Sequence, residues 1–231
     1  MDDFRGPNHE EVLKRLVNEV HAGESDIFGS EDLLDMLLVY IRAKGGGEFT
    51  TVVESWDEFN SLETENHPVC TLSRELGLVS RVSLMFRDDR ESFGQLDIQY
   101  SASEEQLAVL DKLDNLPIGV RRGRFFGYPL SALTGHFSYS SHSQMFDDSL
   151  PALVENGVVK PDEIAMHLTY NSFVPELNNT GVREAIDIAF DRRSRVRRFI
   201  ETTGLTKAHE VLDDIEEQAL REAEYLIQKE N

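Results

Sequence analysis

Asn8-His9-Glu10-Glu11 reads as a capping-box-like start, and Val12, Leu13, Leu16, Val17 and Val20 follow it at helical spacing. This pattern predicts a first helix ending near Gly23. A second helix, opened by Ser30, runs through Leu33, Leu34, Leu37, Leu38 and Ile41 and stops at Gly45-Gly46-Gly47, a triple glycine suited to a flexible joint. Phe49 to Val53 is β-branched and aromatic and predicts a strand, after which Ser55-Trp56-Asp57-Glu58 caps a short helix. Val79 to Phe86 and Gln95 to Tyr100 both alternate apolar with polar residues and suit an antiparallel hairpin about the turn Arg87-Asp88-Asp89-Arg90. Ser103-Glu104-Glu105-Gln106 is a further capping box leading into Leu107, Leu110 and Leu113, and Pro117 closes that segment.

Alternation returns between Ala165 and Val174, where Met166, Leu168, Tyr170 and Ser172 share one face, and a strand is expected there. Two long helices, about 182 to 203 and 206 to 229, are separated by Gly204. Strands mixed with helices in this order predict an α+β fold: a small, mainly antiparallel sheet packed with several helices, ending in a C-terminal helical hairpin. A single domain, 1–231, is expected, because two helices alone rarely bury enough surface. The alternative boundary is the triple glycine, dividing an N-terminal helical pair, 1–44, from a main domain, 48–231.

Charge adds a second constraint. Forty-three acidic residues against 23 basic ones give a formal net charge of −20, with 17 Arg to 6 Lys and the acid spread along the whole chain. Such self-repulsion opposes compaction in dilute buffer and keeps a protein soluble in brine, the pattern of a salt-in, haloarchaeal-type protein. A surface this negative also disfavours bulk nucleic acid and anionic membrane. Met1-Asp2-Asp3 lacks the basic and apolar regions of a signal peptide, and the longest apolar stretch, Leu33 to Ile41, falls far short of a membrane span. A cytoplasmic location is the expectation. Cys70 is the sole cysteine, which excludes an intramolecular disulfide and a cysteine-based zinc site, and it reads as a small buried hydrophobe.

The most distinctive segment is Gly119-Val120-Arg121-Arg122-Gly123-Arg124-Phe125-Phe126-Gly127-Tyr128-Pro129-Leu130-Ser131-Ala132. Arg121, Arg122 and Arg124 offer bidentate contacts to phosphate or carboxylate, Gly127 permits close backbone approach, and a helix starting at Ser131 would favour anions. Together with Tyr128 they form a candidate site for a small anionic ligand. The structural alternative is surface ion pairing by the arginines and core packing by the aromatics.

Phe126-Gly127-Tyr128-Pro129, followed by Phe173-Val174-Pro175 and the helix from Val182, resembles the archaeal domain-of-unknown-function family 483 over about residues 105–200. The resemblance implies an archaeal origin and carries no activity with it. The family's pattern has cysteines after each of these turns. Here Leu130-Ser131-Ala132 and Glu176-Leu177-Asn178-Asn179 stand in those places, so a cysteine-held metal does not carry over.

His136, His142 and His167, with Asp147 and Asp148, are the one group in this region with metal-binding side chains, but six residues separate His136 from His142, which is not a helix-face ligand spacing. No metal and no cofactor is expected. Ser138, Ser140, Ser141 and Ser143 lie near the histidines without a Gly-x-Ser-x-Gly elbow, and the dinucleotide and phosphate-loop signatures are missing. If the protein is an enzyme, His136, His142, Tyr128 and Asp147 are the candidate acids and bases.

Arg192, Arg193, Arg195, Arg197 and Arg198 form a second cluster on the penultimate helix. At 100° per residue Val182, Ala185, Ile186, Ala189, Val196, Ile200 and Thr203 project as one mainly apolar stripe, and Arg193 falls within it. An arginine there must meet an anion, either a protein carboxylate or a ligand shared with Arg121, Arg122 or Arg124. The last helix carries Ala208, Leu212, Ile215, Ala219, Glu222 and Leu226 as a seam, broken by Glu222, for packing within the hairpin or for a homodimer. The reading that follows is binding of a small anionic ligand through clustered arginines. Its alternatives are an enzyme with a site near 128–167 and an interaction module dimerising through its last helices.

Overall fold

A computed structural model describes residues 8–25, 27–53, 66–86, 94–112, 118–133, 142–171, 173–176 and 178–228. The chain divides into two compact units, Met1–Leu113 and Asp114–Asn231. The architecture is α+β, with a three-stranded antiparallel sheet, several helices and a C-terminal helical hairpin.

In the first unit, α1 (His9–Ala22) buries Val12, Leu13, Leu16 and Val17 and ends on Gly23, whose φ of 66° is the left-handed cap that glycine takes without strain. Asn8 precedes the helix without a side-chain cap, so the predicted capping box is not made. α2 (Ser30–Tyr40) starts one residue from the expected cap: the Gly29 N–H donates to Asp32 Oδ2 at 2.8 Å. β1 (Gly46–Val53), α3 (Pro68–Glu75), β2 (Val79–Phe86) and β3 (Gly94–Ser101) follow, with sheet order β1-β3-β2. The predicted hairpin pairs in register, Val79 against Ser101 through Phe86 against Gly94. Its turn at 87–90, and the short helix expected at 55–58, lie outside the described residues.

The central strand is buried on both faces. Leu96, Ile98 and Tyr100 supply the apolar face. On the other, Asp97, 1% exposed, accepts from Thr50 Oγ1 at 2.9 Å and Gln95 Nε2 at 2.8 Å. Beside it Gln99 donates to Glu48 Oε2 at 2.9 Å and accepts from Arg81 Nη2 at 3.2 Å. Cross-strand pairing thus satisfies the polar groups that burial would otherwise penalise.

The triple glycine lies inside this unit and is packed rather than loose. Gly47 sits opposite Tyr100 in the sheet, where an added Cβ would fall 2.3 Å from the Tyr100 ring and 2.4 Å from Asp35 Oδ2. Tyr100 donates its hydroxyl to Asp35 at 2.9 Å, and Lys44 pairs with the same carboxylate. Ser103 Oγ accepts from the Gln106 N–H at 3.2 Å, the expected cap of α4 (Glu104–Leu107), and α5 (Val109–Lys112) follows. Cys70 is buried, as its reading as a small hydrophobe requires.

The second unit contains α6 (Ile118–Phe126), a helical stretch at 130–133, α7 (His142–Glu155), α8 (Pro161–Tyr170), α9 (Asn179–Thr203) and α10 (Thr206–Gln228). The strand expected at 165–174 is instead α8 as far as Tyr170. Pro161 occupies its first turn, and the Lys160 N–H donates to Glu163 Oε2 at 2.9 Å. Ile164 and Ala165 are buried, with Leu168 packed one turn on, in a core shared with Leu150, Val182, Ile186, Ala219 and Ala223. α9 and α10 turn on Gly204, φ 68°, as the sequence predicts. The α10 seam departs from prediction at its end: Glu222 is exposed, and Ala223 takes the buried place. Ala223 lies one turn beyond Ala219 and packs with it in the core formed with Leu150, Val182 and Ile186.

Candidate functional site

α9 buries Val182, Ala185, Ile186, Ala189, Val196 and Ile200, and with them an arginine. That residue is Arg192, 3% exposed, rather than Arg193. Its Nη1 donates to the Tyr170 carbonyl at 2.9 Å and to Asn171 Oδ1 at 3.0 Å. The Asn171 Nδ2 group in turn donates to the Ala185 carbonyl at 2.7 Å and lies 2.9 Å from His167 Nδ1. This network fastens the C-terminal end of α8 to the middle of α9. His167 is 4% exposed, and burial first, then the charge of Arg192, push its pKa down to about 4 against an opposing hydrogen bond with the Phe173 backbone. The ring is neutral at pH 7 and accepts from Asn171 through Nδ1.

Arg193 lies in the predicted stripe, but its guanidinium extends to the flank covered by α10. Nε and Nη2 donate to Glu216 Oε1 and Oε2 at 2.8 and 2.9 Å, a fork-on-carboxylate contact. Glu216 Oε1 also accepts from the Tyr170 hydroxyl at 2.6 Å and lies 3.0 Å from Arg197 Nη2. Arg197 Nη2 further donates to Asp213 Oδ1 at 2.6 Å. Burial pushes the Glu216 carboxyl up, but hydrogen bonds from Arg193, Tyr170 and Arg197 outweigh it and hold the group below the usual carboxylate range. Burial, followed by the Glu216 contact, raises the Tyr170 phenol.

Beside this hub a groove of about 380 Å³ runs along α9, lined by Phe190, Arg193, Ser194, Arg197, Arg198 and Glu201. These positions recur at three- and four-residue intervals, so successive turns bring them to one face. Arg193 and Arg197 reach it already held from the α10 side. Arg198 is exposed, and its guanidinium makes no hydrogen bond or ion pair among the described residues. Arg197 Nε is buried away from the groove, with no hydrogen-bond partner among the described residues, and Arg197 Nη1 lies 3.4 Å from His209 Nδ1. The combined charge of the three guanidinium groups, with the uncommitted donors of Arg198, can bind an oxyanion by charge and by directed hydrogen bonds.

Of the other residues proposed from sequence, Arg121, Arg122 and Arg124 lie on α6, and the Arg122 guanidinium stands 6.0 Å from the Phe126 ring centre. Gly127, φ 75°, ends that helix. Tyr128 stacks on Phe126 at 5.5 Å and meets Phe173 at 5.2 Å, so the two turn segments, about 45 residues apart, touch. Ala132, Phe173 and Ala185 pack together beside Tyr128, and Ser131 Oγ donates to Glu184. These contacts join the segment to α9 at 184–188, more than one turn before Arg193. His136 lies outside the described residues; His142 and Asp147 lie on α7, with side chains outside the description. Asp148 is exposed on the same helix. Among the described residues no group of three or more His, Cys, Asp or Glu side chains could hold a metal ion, and no helix is long and apolar enough to cross a membrane.

The roles of Asn171, Tyr170 and Glu216, and the burial of Arg192 in place of Arg193, are the parts sequence reasoning missed. The signal for Glu216 was its place one residue after the seam position Ile215. Comparison with protein-family models, with curated proteins and with solved structures found no match.

Proposed function

We propose that the second unit binds a small oxyanion, phosphate or carboxylate in chemistry, on the α9 face formed by Arg193, Arg197 and Arg198. The observation that carries this reading is the groove in which three guanidinium groups from successive turns share one opening, two of them anchored on Glu216. Anchoring matters because a side chain already ordered loses less entropy when a ligand arrives. The hub carboxylate neutralises part of the mutual repulsion of the arginines, while Arg198 contributes a charge with no described counter-ion.

The −20 net charge sets the conditions. Long-range attraction of an anion is weak or reversed, and at about 1 M salt the Debye length shrinks to roughly 3 Å, leaving direct contacts to supply the affinity. Isothermal titration with inorganic phosphate at fixed ionic strength tests the reading. Saturable binding that weakens about tenfold or more in Arg198→Gln supports it, since a hydrogen bond to a charged partner contributes about 1.5–3 kcal/mol. Equal binding by parent and variant would remove the groove as the site.

A further inference from the structure

We infer that the anion bound on α9 is a phosphate monoester carrying a flat ring, with the phosphate on the arginines and the ring on Phe190. The inference rests on the reading of the groove as an anion site and names the ligand class that site would select.

Phe190 is 41% exposed and lines the groove together with Arg193, Ser194, Arg197 and Arg198. A rise of about 1.5 Å per residue places it about 4.5 Å along the helix from Arg193 and about 12 Å from Arg198. A ring lying over Phe190 would therefore hold a phosphate attached through a short linker within reach of the arginine turns. Aromatic faces bind rings by stacking with little dependence on the ring's substituents, and guanidinium planes extend such a platform. Single exposed phenylalanines are ordinary on protein surfaces. This one differs in opening into the same groove as three arginines.

The far end sets the length of the ligand. Glu201 lies three residues beyond Arg198 and adds a carboxylate to that end of the lining. A chain of several phosphates extended past Arg198 would meet that carboxylate, so the groove suits one phosphate rather than three. Ser194, between Arg193 and Arg197, offers a hydroxyl that both donates and accepts. A nucleoside monophosphate and a simple aryl phosphate share this chemistry.

The test is a set of calorimetric titrations of the full chain at one ionic strength with inorganic phosphate, ribose 5-phosphate, adenosine 5′-monophosphate, phenyl phosphate and adenosine triphosphate. The expected result is adenosine monophosphate binding about five- to tenfold more tightly than ribose 5-phosphate, with the triphosphate no tighter than the monophosphate. An equal gain for phenyl phosphate assigns the site to aryl phosphates generally; a gain for the nucleotide alone assigns it to nucleoside monophosphates. Phe190→Ala should abolish the ring's contribution and leave inorganic phosphate unchanged, whereas Phe190→Trp should preserve it. Phosphate binding with no gain from any ring, or a gain that survives Phe190→Ala, overturns the inference while the anion site stands. Absence of binding by every phosphate overturns both.

Discussion

Arg193 and Glu216 face each other across the C-terminal hairpin in a two-point ion pair, Nε to Oε1 at 2.8 Å and Nη2 to Oε2 at 2.9 Å. The same carboxylate takes the Tyr170 hydroxyl and the Arg197 guanidinium, so one residue of α10 organises side chains from α8 and α9. Replacing Arg193 by Met strips the carboxylate of its two-point partner but leaves Tyr170 and Arg197. The expected loss is about 1–3 kcal/mol in denaturant unfolding at pH 7. Full parental stability in that variant would show that Glu216 needs only its two remaining partners.

His167 makes stability depend on pH in a defined direction. Its folded pKa of about 4 lies below the unfolded value of 6.5. Between those values the unfolded chain binds more protons than the folded one, so the contribution is complete above pH 6.5 and is lost as pH falls toward 4. The full swing is about 3 kcal/mol at 1.36 kcal/mol per pKa unit. His167→Gln should flatten the curve in this window relative to the parent, measured by unfolding at a series of pH values; parallel curves would place the acid sensitivity elsewhere.

Gly47→Ala tests the packed glycine. The new methyl would collide with the Tyr100 ring and with Asp35 Oδ2, and the pair Tyr100 and Asp35 would have to separate. Overpacking of this kind costs about 1–3 kcal/mol. A thermal midpoint equal to that of the parent would mean that the strand shifts freely at the triple glycine.

Screening should stabilise the whole chain. With 43 acidic side chains against 23 basic ones, the thermal midpoint is expected to rise from dilute buffer into molar KCl. An unchanged midpoint across that range would remove self-repulsion as a determinant of folding.

The parts of the fold that were legible from sequence are those with long, consistent patterns. α1, α2 and the two final helices combine helical periodicity over two turns or more with end signals such as Gly23 and Gly204, and β2 and β3 carry the alternation of paired strands. α8 was misread because Met166, Leu168 and Tyr170 alternate over a short window. Pro161, Asp162 and Glu163, a helix start, were the better guide. The arginine face was half legible. Helical projection placed Arg193 in the stripe, but which arginine is enclosed depends on the C-terminal end of α8 meeting Ala185 and Arg192, a tertiary contact invisible to periodicity. Glu216 was hidden because its role comes from three partners distant in sequence.

The most direct test of the α9 site follows the arginine Nε–H signals of the labelled protein by nuclear magnetic resonance during titration with inorganic phosphate. Arg198 is exposed, so Arg198→Gln should alter stability by less than about 0.5 kcal/mol and serve as a folded control. The account predicts saturable shifts at Arg193, Arg197 and Arg198 with a common dissociation constant, greatly weakened in Arg198→Gln. No saturable shift at these three residues, or shifts confined to Arg121, Arg122 and Arg124, would contradict it.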